Sequence, residues 1–289
     1  MKRYRIPEMA EKYMKYDMIQ SFTELPPLSE PRLRMLHAAL DSQQSTAKHS
    51  ELFTLVTSLV QVGLDTHDLI DTDDQRRSER EMRSRQLNVL AGDYFSSRFY
   101  QLLAQAGQVE MIARISGAVS EVNRLKVTLY AKMRSLKVTA EDYYSYAVRL
   151  KSGLFEHFAG LLEGSVSRLW PELLSELSRC EVALDEMKRT ESCERFQSSW
   201  GYWHIIQVGT DEERYKLTNA SMENRYLQGL VEKYGIHSQL LQVLKQSAGA
   251  VKAIVNRMES DNLVEEMSRI VDHMLHSLGG HVPALNETR

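Results

Sequence analysis

Two cysteines, six prolines and no surplus of positive charge set the first limits on this 289-residue chain. Cys180 and Cys193 lack the number and spacing of a disulfide framework or a zinc site, so they read as ordinary thiols of a reducing compartment. Lys and Arg number 36 against 39 Asp and Glu, a net charge of -3, and a general nucleic-acid surface would need a basic excess. No apolar run approaches the roughly 20 residues that span a bilayer. The opening Met1-Lys2-Arg3-Tyr4-Arg5 is basic with no apolar core behind it, so a secretory signal is not expected. The expectation is a cytoplasmic protein.

Six prolines, 14 glycines and a scarcity of β-branched alternation leave long helices as the remaining economy of the chain. Leu241, Leu244, Ala248, Val251, Val255 and Met258 recur in steps of three and four, one apolar stripe on a helix over 241–258. Ile112, Ile115, Val119 and Val122 make a second stripe, and Leu87, Leu90, Ala91 and Tyr94 a third. Further helices are predicted over 7–21, 32–41, 48–70, 141–162, 171–189, 211–234 and 261–277. Pro26-Pro27 and Pro31 set residues 1–28 apart as an N-terminal helix and proline-rich linker. Residues 29–278 read as one all-α domain and 279–289, after Gly279-Gly280, as a flexible tail. No period of 20–50 residues signals a solenoid.

The stretch with chemistry in it is Leu59 to Asp74. Its first half is apolar and helical; then Asp65, Asp68, Asp71, Asp73 and Asp74 follow within ten residues. Carboxylates at a helix C-terminus meet the negative end of the dipole, at a cost of about 0.3–1 kcal/mol each where exposed. An acid cluster there calls for a cation, a ligand or an inherited role. On a continuing helix His67 and Asp71 would project side by side with Asp68 on the flank. Asp68 and Asp71 offer the hard oxygens Mg²⁺ prefers, and such a metal would bridge diphosphate oxygens. His67 is a softer ligand and spoils the pair. The residues alone leave two readings open, a Mg²⁺ site and a structural or vestigial acid cluster.

His67-Asp68-Leu69-Ile70-Asp71, followed by Arg76-Arg77-Ser78, resembles the first Asp-rich motif of the trans-prenyl diphosphate synthases. That family reads Asp-Asp-x-x-Asp, a short loop, then Arg-Arg-Gly. Here His67 replaces the first Asp and Ser78 the Gly. Leu90-Ala91-Gly92-Asp93 is similar to the family's Leu-Ala-Gly-Asp helix, and a mid-helix Gly92 implies close approach of another helix. Leu59-Val60-Gln61, Asp65 to Asp68, Arg85-Gln86-Leu87 and Leu90 to Ser96 resemble one branch in particular, component I of heptaprenyl diphosphate synthase. The resemblance covers roughly residues 55–103. It implies a terpenoid-synthase type of helical bundle and diphosphate contacts at His67, Asp68, Asp71, Arg76 and Arg77. It gives Gly92 and Asp93 a structural role.

The catalytic branch carries a second Asp-rich motif, and here Trp200-Gly201-Tyr202-Trp203-His204 follows Phe196-Gln197 where its carboxylates would stand. Without those acids the ionisation of an allylic diphosphate loses most of its electrostatic support. The family's basic Lys-Arg-x-Arg-Pro is worn to Arg32-Leu33-Arg34-Met35, whose arginines are read as solvated. No catalytic residue is expected in this chain, and the resemblance places Mg²⁺ in a partner subunit. It implies a catalytic component II as that partner, with allylic and isopentenyl diphosphates in the complex and peripheral membrane contact through the product. The implied role is that of a small regulatory subunit. It supports elongation of farnesyl diphosphate to heptaprenyl length for the menaquinone side chain. Val62 and Gly63, about one turn before His67, are the chain-length candidates.

Two other classes compete. An all-α metal-dependent phosphohydrolase could use His67-Asp68 as a dyad. It would need further ligands, and His37, His49 and His157 stand in no recognisable spacing. A helical scaffold suits the 241–258 stripe but leaves the Leu-Ala-Gly-Asp segment and the paired arginines unexplained.

Overall fold

A computed structural model describes residues 3–70, 78–219, 223–258 and 260–276, and every regular element among them is helical. In chain order the α-helices are α1 (Ile6–Met14), α2 (Asp17–Phe22), α3 (Glu30–Asp41), α4 (Ser50–Asp68), α5 (Glu79–Gln105), α6 (Val109–Arg134) and α7 (Ala140–Glu156). They continue with α8 (Gly164–Arg189), α9 (Cys193–Phe196), α10 (Trp200–Val208), α11 (Asp211–Asn219), α12 (Asn224–Lys233), α13 (Ile236–Val255) and α14 (Asp261–His276). The tail expected over 279–289 lies outside the described residues.

Two compact units divide the chain. Met1–Ser120 with His157–Arg168 form the first; Glu121–Glu156 with Leu169–Arg289 form the second. In the first unit α4 is the central rod. It is apolar around most of its circumference, and a helix of that kind is stable only when covered on all sides. Leu55, Leu59 and Val62 join Ile6 and Ala10 of α1 and Ala91 and Phe95 of α5 in one buried cluster. The hydroxyls that this burial takes from water are satisfied within the helix. Thr54, Thr57 and Thr66 donate to the carbonyls of Ser50, Phe53 and Val62, at 2.6–2.8 Å.

Several expected boundaries move. Residues 7–21 break into α1 and α2 at Lys15-Tyr16, where Tyr16 turns extended and sets its ring edge-on to Tyr94 of α5, 5.2 Å away. Residues 211–234 form α11 and α12, with 220–222 outside the described residues. The helix placed at 141–162 ends at Glu156. The helix expected to start at Pro171 starts seven residues earlier, at Gly164, and carries Pro171 in its interior. An interior proline costs about 3 kcal/mol. The stripe it interrupts outweighs that cost: Trp170, Leu173, Leu174 and Leu177 are fully buried, and Trp170 Nε1 donates to the Phe155 carbonyl at 3.0 Å.

Candidate functional site

The Asp-rich stretch ends α4. Leu69 N and Ile70 N donate to the carbonyls of Thr66 and His67, three residues back, and the α-helix is over at Asp68. Asp71, Arg76 and Arg77 lie outside the described residues, so the site is built here from what precedes and follows them.

His67 turns sideways onto α5. A Cβ built on Gly92 would stand 2.6 Å from both Cε1 and Nε2 of the imidazole, so the absent side chain of Gly92 is the seat of the His67 ring. The ring's Nε2 then lies 3.5 Å from an Asp93 carboxylate oxygen. One turn earlier Gly63 plays the reciprocal part. A Cβ there would come within 2.9 Å of Ser96 Oγ and 3.0 Å of the Gly92 carbonyl. The two glycines let α4 and α5 approach at the motif, which is the close helix contact that Gly92 implied in the sequence.

Beneath this contact runs a polar relay. Gln61 Nε2 donates to Asp65 at 2.7 Å, and Arg32 Nη1 of α3 donates to Gln61 Oε1 at 3.4 Å. Arg32 is only 2% exposed. The reading of Arg32 as a solvated arginine is thus corrected: burial of its stem beneath α4 offsets the cost because the guanidinium reaches Gln61. Arg34 is half-buried as well, paired with Glu30 at 3.1 Å and set 4.3 Å over the Tyr4 ring. Ser78, standing where the family has Gly, caps α5. Its hydroxyl accepts from Glu81 N while Glu81 accepts from Ser78 N, a capping box legible in Ser78-Glu79-Arg80-Glu81.

The described residues of the motif do not make a Mg²⁺ cradle. Asp65 is engaged by Gln61, His67 lies on Gly92, and Asp68 is exposed. Among the described residues no group of three or more His, Cys, Asp or Glu side chains converges as a metal site. Val62 and Gly63 both occupy packed contacts, Val62 in the core beside Leu59 and Ala91, and Gly63 against α5.

In the second unit the segment from Phe196 to His204 is organised around Glu186 of α8. Its carboxylate accepts from Trp200 N at 2.6 Å and from the Tyr143 hydroxyl at 3.1 Å, at the start of α10. Phe196 and Trp203 are core residues, and Trp200 stacks on His204 with ring centroids 4.9 Å apart. Burial raises the Glu186 pKa, against the pull of Arg189 and these donors. The folded chain therefore holds this proton to higher pH than the unfolded chain does. Stability from this group is greatest below its ordinary value of 4.5 and is lost as pH rises through the raised folded value. Glu186→Gln is expected to flatten that descending limb in denaturant melts taken from pH 4 to pH 8; an unaltered limb would refute the assignment.

The family model described as heptaprenyl diphosphate synthase subunit 1 matches residues 16–197 of this chain. The chain belongs to the heptaprenyl diphosphate synthase subunit 1 family. A relative in Geobacillus stearothermophilus, heptaprenyl diphosphate synthase component 1, is 40% identical over 93 residues. That match covers 32% of this chain and 40% of the relative, so the chain spans well under half of the curated protein it matches. Among solved structures, a polyprenyl synthase from Caulobacter crescentus superposes with a TM-score of 0.71 at 14% identity, covering 93% of each chain. A decaprenyl diphosphate synthase from Rhodobacter capsulatus does so with a TM-score of 0.69 at 12% identity, covering 94% of each. These likenesses establish the all-α, terpenoid-synthase type of fold. No helix among the described residues is long and apolar enough to cross a membrane.

For a subunit 1 chain, sequence reasoning found Gly92, Asp93 and His67 singly but not their contact. The sideways seat of His67 depends on how α4 and α5 cross, which local spacing does not encode. The Arg32–Gln61–Asp65 relay was missed for the same reason, since its members are up to 33 positions apart.

Proposed function

We propose that this chain is the non-catalytic small subunit of a two-component heptaprenyl diphosphate synthase. On this reading a catalytic component II binds Mg²⁺ and elongates farnesyl diphosphate with isopentenyl diphosphate, supplying a menaquinone side chain. This chain regulates that reaction and its product length. The observation that supports the reading is the seat of His67, which rests on Gly92 at the position that the resemblance gives to a carboxylate. The same resemblance sets Trp200, Gly201 and His204 against the family's second acid set.

A partner needs a surface, and α5 offers one. Met82, Val89, Leu90 and Tyr100 are 39–61% exposed. With Gln86, Asp93 and Ser97 they fall in steps of three and four along one side of the helix. Asp93, next to His67, lies in that row, and Glu79, Arg83 and Arg85 flank its N-terminal end. Depletion of charge around exposed aliphatic and aromatic groups is the mark of an interface core. Val62 and Gly63, inside the packing of α4 against its neighbours, are the chain-length candidates of this reading.

The expected result is no prenyl transfer from farnesyl and isopentenyl diphosphates with Mg²⁺ by the isolated chain. Mixing with a catalytic component II should yield long-chain product and a stable complex on size exclusion. Turnover by the isolated chain would overturn the reading.

A further inference from the structure

The second unit contains an open cleft of about 500 Å³ that the proposed subunit role does not use. It lies among α7, α8, α10 and α13, and its volume falls in the range of small-molecule sites. Tyr144 and Leu240 are buried in its wall, and the stacked pair of Trp200 and His204 is half-exposed beside them. The rest of α10 sends Tyr202, Trp203 and Ile205 into the core, so Trp200 is the large apolar side chain this helix holds back for the cleft.

The charged groups of the cleft are one cation, Arg179, and one carboxylate, Glu141. Arg179 lines the cleft with its guanidinium 5.3 Å over the Tyr144 ring, and its ion pair with Glu176 is long, at 3.9 Å. The Tyr144 hydroxyl donates to the Arg179 carbonyl at 2.8 Å, which fixes the phenol and the turn of α8 that bears the arginine. His204 adds no second cation at neutral pH. Burial lowers its pKa, and its Nε2 lies 3.4 Å from the Gln239 amide, whose other hydrogen goes to the Tyr234 carbonyl. Glu141 contributes an opposing carboxylate at the exposed rim, where solvent screens it.

We propose that this cleft is a binding site for a small planar aromatic anion, its ring against Trp200 and Tyr144 and its negative group toward Arg179. A flat ring matches the indole and phenol faces, which favour stacked and edge-on aromatic partners. A carboxylate matches the planar donor fork of arginine, which presents parallel N–H groups. The site is independent of whether component II binds the chain.

The test uses the full chain and three probes in isothermal titration: 2-naphthoate, its uncharged analogue naphthalene-2-carboxamide, and the non-aromatic cyclohexanecarboxylate. Saturable binding of 2-naphthoate is expected, with both analogues weaker by about tenfold. Arg179→Gln should weaken naphthoate by about tenfold and leave the carboxamide unchanged, while Arg179→Lys should restore part of the loss. Trp200→Leu should weaken both aromatic probes, and Glu141→Gln should tighten naphthoate a few-fold by removing a like charge. Melting curves identify any variant that fails to fold; the Glu141→Gln and Arg179→Lys arms then still decide. Absence of saturable naphthoate binding, or equal affinity for the acid and the amide, would overturn the proposal.

Discussion

Leu90→Asp combined with Val89→Asp is expected to weaken binding of component II by a hundredfold or more while leaving the free chain folded. Both side chains are exposed on α5, Val89 at 39% and Leu90 at 61%, so in the isolated chain a carboxylate there stays solvated, with Asp93 three and four residues on adding a repulsion of a few tenths of a kcal/mol. Surface changes of that kind shift stability by about 0.5 kcal/mol or less. In the complex each would be an unpaired buried charge, a penalty of several kcal/mol. Every 1.4 kcal/mol is a tenfold change in affinity. The checks are a pull-down titration for affinity and a thermal melt for the free chain. An unchanged affinity would remove α5 from the partner surface.

Gly63→Phe is expected to destabilise the first unit by more than about 3 kcal/mol. Even a methyl group at this position would press on Ser96 and on the Gly92 carbonyl, and a phenyl ring has to part α4 from α5. Any change in product length from this variant would therefore report helix packing. Gly92→Ala isolates the finer contact. In the native chain the new methyl must displace the His67 ring, losing its seat and its 3.5 Å approach to Asp93. In a His67→Ala background the same change should stabilise by about 0.5–1 kcal/mol, the ordinary gain of Ala over Gly inside a helix. Denaturant melts of the four proteins complete the cycle, and additive effects would show that His67 does not occupy the space above Gly92.

The contrast between these two glycines shows where reading the sequence stops. Gly92 attracted notice because a glycine inside an apolar helical stripe costs stability and calls for a close neighbour. The neighbour is the imidazole of His67. Gly63 lies one turn before the motif, which makes it a chain-length candidate on spacing alone. Its place in the helix contact depends on which face of α4 meets α5. In the relay from Arg32 through Gln61 to Asp65, the Gln61–Asp65 step is an ordinary four-residue helix pair, whereas the reach of Arg32 from α3 to α4 spans 29 positions and no local spacing points to it.

By itself the sequence determined the class of fold and the place of most of the long helices. These follow from local periodicity and from residue types at fixed spacing, which act over a turn or two of chain. Only the tertiary structure decided that α4 ends at Asp68, that Pro171 sits inside a helix, and that His67 lies on Gly92. It also decided that Arg32 is buried and that Trp200 and Arg179 share a cleft. Each of these outcomes depends on which surfaces pack together. Burial of a whole apolar stripe is worth several kcal/mol, enough to override a proline, desolvate an arginine or re-aim a histidine.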